Sequence, residues 1–351
     1  MTNSRFYAIG RDLIRPDASA KATGEALYCA DIKLPGMLYA KILRSSRPHA
    51  LIKNIDISAA ASMEGVKAVV TGEGCRGKLM GYCIADQPPM ASGKVRFCGE
   101  PVAAVVADSP EIAAEACLKI MVVYEDLPSV FDVRESMTPS APLVHENIQN
   151  YKIVPFYKPV YNTNIYHSHT MQRGSIEHGF ELADRIFEND FTFPHISHCQ
   201  LEPHCCLSWW KSDGSLHVWS STQSPFMVRS ILAELFDMNF SGVNVTSPYI
   251  GGGFGGKADY TIEPLTAYIA SFVKGKPVKL LLEREEMFSG TLMGRGSHAI
   301  VKTGVKKDGT ITAWHTDIVI NAGAYGNYCI NIIMGAARSS CGVYSIPNIR
   351  I

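Results

Sequence analysis

The chain has 351 residues, 46% of them hydrophobic and 19% charged, which is enough for two domains with packed cores and excludes disorder for the chain as a whole. Thirty-three basic residues balance thirty-three acidic residues, so no net charge draws the chain to nucleic acid or to an anionic membrane. No apolar run reaches the roughly 18 residues of a membrane span, and residues 1–17 lack the apolar centre of a secretory signal, so we expect a cytoplasmic protein.

The first part of the chain, up to residue 133, predicts a compact α+β unit. Alternating or continuous apolar runs predict strands at residues 37–45, 100–108 and 119–127. Between the last two strands, Ser109 is typical of a helix N-cap and Pro110 of the first helical position.

A second unit is predicted after a break in the pattern. Periodicity fades over residues 134–173, where proline and tyrosine are frequent, and we place there a linker or a loop that wraps over a partner. Ser175 is typical of the N-cap of a helix, and a further helix is predicted to begin near Ser224 and Pro225. The strands between them are predicted at residues 185–193, 204–210 and 216–221. The fold class predicted for the whole chain is α+β.

The segment Gly251 to Lys257 (GGGFGGK) is the strongest chemical signal in the sequence. It lies between a predicted strand at residues 243–250 and a predicted helix at residues 258–273. Five glycines in six positions cost backbone entropy, which a chain tolerates where the backbone takes positive φ or closely approaches a ligand. We therefore expect a bound anion or ring system, with N–H groups at the head of the following helix facing it.

Two other interpretations of this loop remain open. Gly251, Gly256 and Lys257 match the core of a phosphate-binding P-loop, although Ala258 stands where a Ser or Thr would hold magnesium. A glycine turn without any ligand is the structural alternative.

Thiols and imidazoles cluster shortly before this region and superficially resemble a metal site. Successive side chains of a strand point to opposite faces, so neighbours there cannot jointly hold one ion, and packing explains them better. The residues concerned are His198, Cys199, His204, Cys205 and Cys206. The ten cysteines are expected to be reduced and mostly buried. We interpret Glu202 as structural and the aromatic stretch Trp209 to Trp219 as sheet core.

Several segments share their order and spacing with one known family. Together with the glycine loop, four of them resemble the first cofactor domain of the xanthine dehydrogenase and aldehyde oxidase family: residues 221–236, 276–288, 306–314 and 321–325. Residues 15–50 and 99–108 resemble the α/β hammerhead domain that opens the same subunit. The resemblance implies a hammerhead domain with an N-terminal extension over residues 1–133, a linker over 134–173, and an incomplete first molybdenum-cofactor-binding domain over 174–351.

The resemblance also implies a cofactor and partners. In that family a pterin-held molybdenum centre hydroxylates a heteroaromatic or aldehyde substrate with oxygen from water. Electrons then pass to 2Fe–2S clusters and FAD. We therefore expect molybdenum bound to molybdopterin, in its cytosine dinucleotide form, with iron–sulfur and FAD subunits as partners and a small molecule as substrate.

By resemblance, Gln223 directs its side-chain amide at the metal's oxo group. Gly252, Gly253, Phe254 and Gly255 bring their backbone against the cofactor, and the Phe254 ring excludes water beside the metal. Taken alone, a glutamine at this place is also typical of a cap for the next helix, and a phenylalanine of plain core.

Position 258 bears on the substrate pocket. In purine-oxidising members of the family a glutamate that orients the purine follows the lysine of the loop, whereas this chain has Ala258. The departure puts xanthine in doubt as the substrate.

The family's large subunit is more than twice as long as this chain. By resemblance, the Gly-Ala-x-Arg-type segment of the substrate pocket and the general-base glutamate both lie beyond residue 351. We therefore expect no catalytic residue within this sequence and no turnover without the C-terminal half. That half is carried by a partner polypeptide if the gene is split, or by the same polypeptide if the sequence is a fragment. A non-catalytic binding or scaffold protein that kept the fold is the alternative.

Overall fold

A computed structural model describes residues 9, 10 and 12–351. Two predictions concern the first residues of the chain: that residues 1–17 form no secretory signal, and that the hammerhead domain has an N-terminal extension. Both predictions include residues 1–8 and 11. Those predictions therefore lie outside the described residues.

Helices and strands are mixed along the described chain, which confirms the α+β class. The helices are α1 (Ala18–Thr23), α2 (Ser58–Ala61), α3 (Pro110–Cys117), α4 (Ile176–Glu181), α5 (Pro225–Leu235), α6 (Glu263–Ala270), α7 (Arg284–Gly290) and α8 (Cys329–Ser339). The strands are β1 (Leu38–Arg44), β2 (Ala50–Asp56), β3 (Val66–Thr71), β4 (Lys94–Val95), β5 (Pro101–Ala107), β6 (Met121–Asp126), β7 (Gln172–Arg173), β8 (Arg185–Phe193), β9 (Cys205–Trp210), β10 (Leu216–Ser220), β11 (Val243–Thr246), β12 (Val278–Leu281), β13 (Ser297–Val305), β14 (Ile311–Ile320) and β15 (Asn348–Arg350).

Local signals in the sequence locate several of these elements correctly. The predicted strands at residues 37–45, 100–108 and 119–127 are confirmed as β1, β5 and β6. The two predicted serine N-caps are also confirmed, because the Ser109 hydroxyl accepts the Ile112 N–H at 3.3 Å and the Ser175 hydroxyl accepts the His178 N–H at 3.3 Å. These hydroxyls satisfy N–H groups that a helix cannot pair internally.

A seven-stranded sheet in the order β11-β10-β9-β12-β1-β5-β3 joins the two units predicted from sequence. Strand β1 pairs in parallel with β12, with Leu38 opposite Val278, and antiparallel with β5 on its other edge. Alternate residues of β5 are buried on opposite faces of the sheet: Val105 packs with α3, whereas Ala104 and Val106 belong to the core that α5 and α6 complete.

Two smaller sheets complete the architecture. One has the order β7-β15-β14-β13-β8 and the other the order β4-β2-β6. Residues 134–173, predicted as a linker or a wrapping loop, contribute Ile148 and Tyr157 to a core that also contains Ile84 and Ile330. This segment therefore packs between the early and late parts of the chain, and the domain boundaries stay a prediction.

Seven of the ten cysteines are buried, which confirms the prediction of mostly buried thiols. Within the described ranges, no helix combines the length and the apolar character needed to cross a membrane.

Candidate functional site

The glycine loop, Gly251 to Lys257, follows β11 and makes two consecutive tight turns. The Gly256 N–H donates to the Gly253 carbonyl at 2.8 Å, and the Ala258 N–H donates to the Gly255 carbonyl at 3.1 Å. The φ angles of Gly252, Phe254 and Gly255 are 101°, 51° and 95°, in the region that favours glycine. The positive φ expected from the glycine content is therefore present.

The prediction that a helix begins directly after the loop is wrong. Helix α6 starts at Glu263, and residues 258–262 separate it from Lys257. Pro264 explains the delay, because a proline is tolerated in the first turn of a helix but not in its interior. The N–H groups at the head of α6 therefore do not continue the loop.

Gln223 lies against the loop and fixes its shape. Its side-chain oxygen Oε1 accepts the N–H of Gly255 at 3.1 Å and that of Lys257 at 3.3 Å, and its own backbone N–H donates to the Lys257 carbonyl at 2.8 Å. The amide thus binds the loop rather than the first turn of α5, against the capping alternative. A Cβ at Gly253 would lie 2.3 Å from this oxygen, so the Gln223 side chain would have to move away from the loop.

Three loop N–H groups have no acceptor among the described residues of the protein. In the described part of the chain, neither a backbone nor a side-chain oxygen accepts the N–H of Gly252, Gly253 or Phe254. The Phe254 side chain is 75% exposed, so it is not plain core. The loop therefore presents consecutive free donors beside an exposed aromatic ring.

Glu202 and Lys257 form a buried ion pair beneath the loop. The Lys257 side chain is 1% exposed, and its Nζ lies 2.7 Å from Glu202 Oε2. The same oxygen accepts the Gly251 N–H at 2.8 Å, so one carboxylate holds both ends of the loop. Burial lowers the pKa of Lys257, and the Glu202 carboxylate offsets part of that effect. Because this ammonium group is paired and buried, it is not placed to bind a phosphate. The P-loop interpretation therefore lacks the lysine that would contact the phosphates.

Neighbouring side chains complete the support. His204 Nε2 lies 3.1 Å from the Gly256 carbonyl, and burial lowers the pKa of His204 to about 4, so the neutral ring donates this hydrogen bond. Ala258 follows the loop and is half-buried. No group of three or more His, Cys, Asp or Glu side chains among the described residues is arranged to hold a metal ion.

The structure thus brings together Gln223, Gly252, Gly253, Phe254 and Gly255, with Ala258 adjacent. It also confirms that Glu202 is structural and identifies its partner, Lys257, which the sequence did not predict. Its contact with Lys257 spans 55 positions of sequence, which no local periodicity can predict.

Two family profiles match the chain. The profile described as a molybdopterin cofactor-binding domain matches residues 157–351. The profile described as the a/b hammerhead domain of aldehyde oxidase and xanthine dehydrogenase matches residues 23–128.

Known proteins resemble the chain over nearly its whole length. A Bacillus subtilis protein named as part of a "Probable xanthine dehydrogenase" is 33% identical over 338 residues, which cover 96% of this chain and 43% of that protein. The "Nicotinate dehydrogenase large molybdopterin subunit" of Eubacterium barkeri is 31% identical, over 99% of this chain and 78% of that protein. The crystal structure of the aldehyde oxidoreductase from Desulfovibrio gigas has a TM-score of 0.86 at 27% identity, covering 96% of this chain and 37% of that one. The chain thus spans less than half of two of these proteins.

Proposed function

The chain belongs to the aldehyde oxidase and xanthine dehydrogenase family of molybdopterin-binding subunits, and from this premise we propose that its Gly251 to Lys257 loop binds the cofactor of a molybdenum hydroxylase. A hammerhead domain is followed by a molybdopterin-binding domain. Two of the relatives are dehydrogenases by name, one of them a large molybdopterin subunit, and the proposal extends that chemistry to this chain.

The free donors of the loop carry this proposal. Gln223 Oε1 already accepts two loop N–H groups, so the NH₂ of the same amide points away from them and stays available. Together with the backbone N–H groups of Gly252, Gly253 and Phe254, this NH₂ gives four donor groups that one ligand could engage. A molybdopterin rich in oxygen and sulfur acceptors fits this set of donors.

Each site residue has a distinct role in this proposal. When bound, the cofactor supplies the two-electron chemistry that hydroxylates the substrate. Gln223 would direct an amide N–H at the bound cofactor and help to orient it without acting as a metal ligand. The backbone of Gly252, Gly253 and Gly255 allows close approach, and Phe254 excludes water.

Ala258 lines the substrate pocket in this proposal. Its methyl group offers no hydrogen bond where purine-oxidising members of the family place a carboxylate. We assign a heteroaromatic or aldehyde substrate that does not depend on such a contact.

The remaining parts of the active enzyme are also proposals. We place the general base and the second wall of the cofactor cleft in the C-terminal half of the subunit. Iron–sulfur and FAD subunits receive the electrons, and the pterin carries a cytosine dinucleotide. The share of the Bacillus subtilis relative that this chain covers, 43%, supports an additional polypeptide segment.

The test is the metal content of the assembled complex, purified with this chain and its Gly253→Ala variant. The new Cβ displaces the Gln223 amide, so we expect molybdenum content to fall by about 10- to 100-fold, as when a group that orients metal ligands is lost. Gly335→Ala is the matched control, because a Cβ there meets open space. A wild-type complex that is fully assembled but free of molybdenum contradicts the proposal and favours a scaffold protein.

A further inference from the structure

Residues 198–202 run beside the glycine loop without forming part of a helix or a strand, and we call them the 198–202 segment. Within it, Cys199 has a φ angle of 48°, which residues with a side chain rarely adopt. Backbone in such a conformation persists only where surrounding contacts hold it. The segment therefore needs contacts outside itself to keep its shape.

Three side chains of the 198–202 segment contact the glycine loop at separate points. A Cβ at Gly256 would lie 2.8 Å from His198 Nδ1, so the imidazole ring packs directly on that glycine. A Cβ at Gly252 would lie 3.2 Å from the Cβ of Gln200. The Glu202 carboxylate joins the two ends of the loop. A displacement of the segment is therefore expected to change the shape of the loop.

Arg284, the first residue of helix α7, holds the backbone of the segment. Its Nη1 donates to the Gln200 carbonyl at 2.7 Å, and its Nη2 donates to the Leu201 carbonyl at 2.8 Å. A guanidinium group binds two acceptors at once through its rigid planar fork, which a lysine cannot do. A positive charge at the start of a helix opposes the helix dipole, and these two hydrogen bonds offset that unfavourable position.

Helix α7 is itself fixed to the central sheet. Glu286, one turn after Arg284, lies 3.0 Å from Lys41 Nζ and 3.2 Å from Arg44 Nε, and both of these residues belong to β1. The Glu286 side chain is only 11% exposed, so these ion pairs are screened less by water than surface pairs are. The Arg284 guanidinium therefore extends from an anchored helix toward an otherwise weakly held segment.

We propose that Arg284 is a positioning residue for the candidate cofactor site. Its guanidinium fixes the 198–202 segment, and the segment fixes the loop in the shape that presents the free N–H groups of Gly252, Gly253 and Phe254. Among the described residues, Arg284 makes no hydrogen bond to the loop itself, so it acts through the segment. Binding sites depend on geometry held within about 0.5 Å, which makes such indirect support important. The effect on the cofactor rests on the proposed function, whereas the effect on the loop does not.

Hydrogen–deuterium exchange of the assembled complex, followed by mass spectrometry of peptides that cover residues 251–257, tests the effect on the loop. Arg284→Met removes both hydrogen bonds and keeps an unbranched side chain. We expect the hydrogen-bonded N–H groups of the loop to exchange about tenfold faster, because local opening becomes easier. Arg284→Lys keeps the charge without the fork, so an increase of about threefold is expected. This milder variant carries the test if the Arg284→Met complex does not assemble.

Arg229→Met is the matched control. Arg229 Nε and Nη2 both donate to the Phe240 carbonyl, at 3.0 and 2.7 Å, so this variant removes the same kind of contact elsewhere in the chain. We expect it to leave exchange in the loop unchanged. A peptide that covers α3 reports general destabilisation and is expected to stay unchanged in all three variants. Unchanged loop exchange in the Arg284 variants, or equal acceleration in the loop and in α3, overturns the inference.

Molybdenum content of the same complexes provides the second readout. Arg284→Met is expected to lower it about tenfold, as when a group that orients a metal site indirectly is lost, and Arg229→Met to leave it unchanged. Faster loop exchange without any loss of molybdenum overturns the positioning role. A wild-type complex without molybdenum, in which Arg284→Met still accelerates loop exchange, refutes only the proposed function. A molybdenum-loaded wild-type complex whose Arg284 variants match it in both measurements refutes only the positioning role.

Discussion

At the scale of single residues, the ion pair between Glu202 and Lys257 connects packing to function. Both side chains are nearly inaccessible to solvent, and one carboxylate oxygen accepts hydrogen bonds from both ends of the glycine loop. Removing one member of such a pair leaves a buried charge without a partner, which costs more than the pair itself contributes. The pair is therefore expected to fix the loop in the shape that presents its free N–H groups.

We predict that Lys257→Met and Glu202→Gln each destabilise the chain by about 3–5 kcal/mol. The double variant is expected to lose less than the sum of the two, because it carries no unpaired charge. Urea unfolding of the four proteins measures this coupling. Lys53→Met is the control: its partner is Glu125, both side chains are about half exposed, and such surface pairs contribute roughly 1 kcal/mol or less. Additive losses in the double variant contradict the account.

At the scale of elements, the turn between β14 and α8 depends on a carboxylate from a distant segment. Asp86 is buried and accepts the Gly326 N–H at 2.7 Å and the Tyr166 hydroxyl at 2.8 Å. These contacts join three segments of the chain. Burial raises the pKa of Asp86 to about 7, and the two hydrogen bonds only partly oppose that effect.

The raised pKa predicts a pH-dependent stability. The folded state binds the proton of Asp86 more tightly than the unfolded chain does, where the pKa is 3.8. The stabilisation of the folded state by the protonated Asp86 carboxyl is therefore complete below about pH 4 and is lost as the pH rises through about 7. Asp86→Asn keeps an acceptor but cannot ionise, so its stability relative to the wild type should grow by about 1.4 kcal/mol per pH unit across this interval. Unfolding free energies of both proteins from pH 4 to pH 8 measure it, and a constant difference between them would argue against the assignment.

Elements fixed by neighbouring residues were predictable from sequence, and elements fixed by distant residues were not. The caps at Ser109 and Ser175 were found because each bonds an N–H three residues away. Helix α6 begins five residues after the predicted start at residue 258, because Pro264 fits only the first turn of a helix. Asp86 gave no signal, since its partners lie 80 and 240 positions away.

At the scale of the whole molecule, the seven-stranded sheet unites the two units that the sequence pattern suggested. The parallel pairing of β1 with the four-residue β12 creates this continuity. Local patterns cannot reveal such a pairing, because it depends on which strands meet after the chain has folded. The β1–β12 contact therefore makes the proposed cofactor domain and the hammerhead region parts of one structural core.

In the candidate site too, features set by neighbouring residues were predictable, and contacts between residues distant in sequence were not. The composition of the glycine loop predicted positive φ, and the family resemblance paired it with Gln223. Their contact across 32 positions had no local signature. Neither the loop composition nor the family resemblance predicted that Glu202 binds both Gly251 and Lys257, because these contacts depend on burial that only the folded chain creates.

Anomalous X-ray scattering at the molybdenum absorption edge, from crystals of the assembled complex, tests the central claim most directly. The account predicts one strong molybdenum peak on the open side of the glycine loop, within contact distance of the Gln223 side-chain amide. A peak remote from both Gln223 and the loop, or no peak in a complete complex, would contradict it.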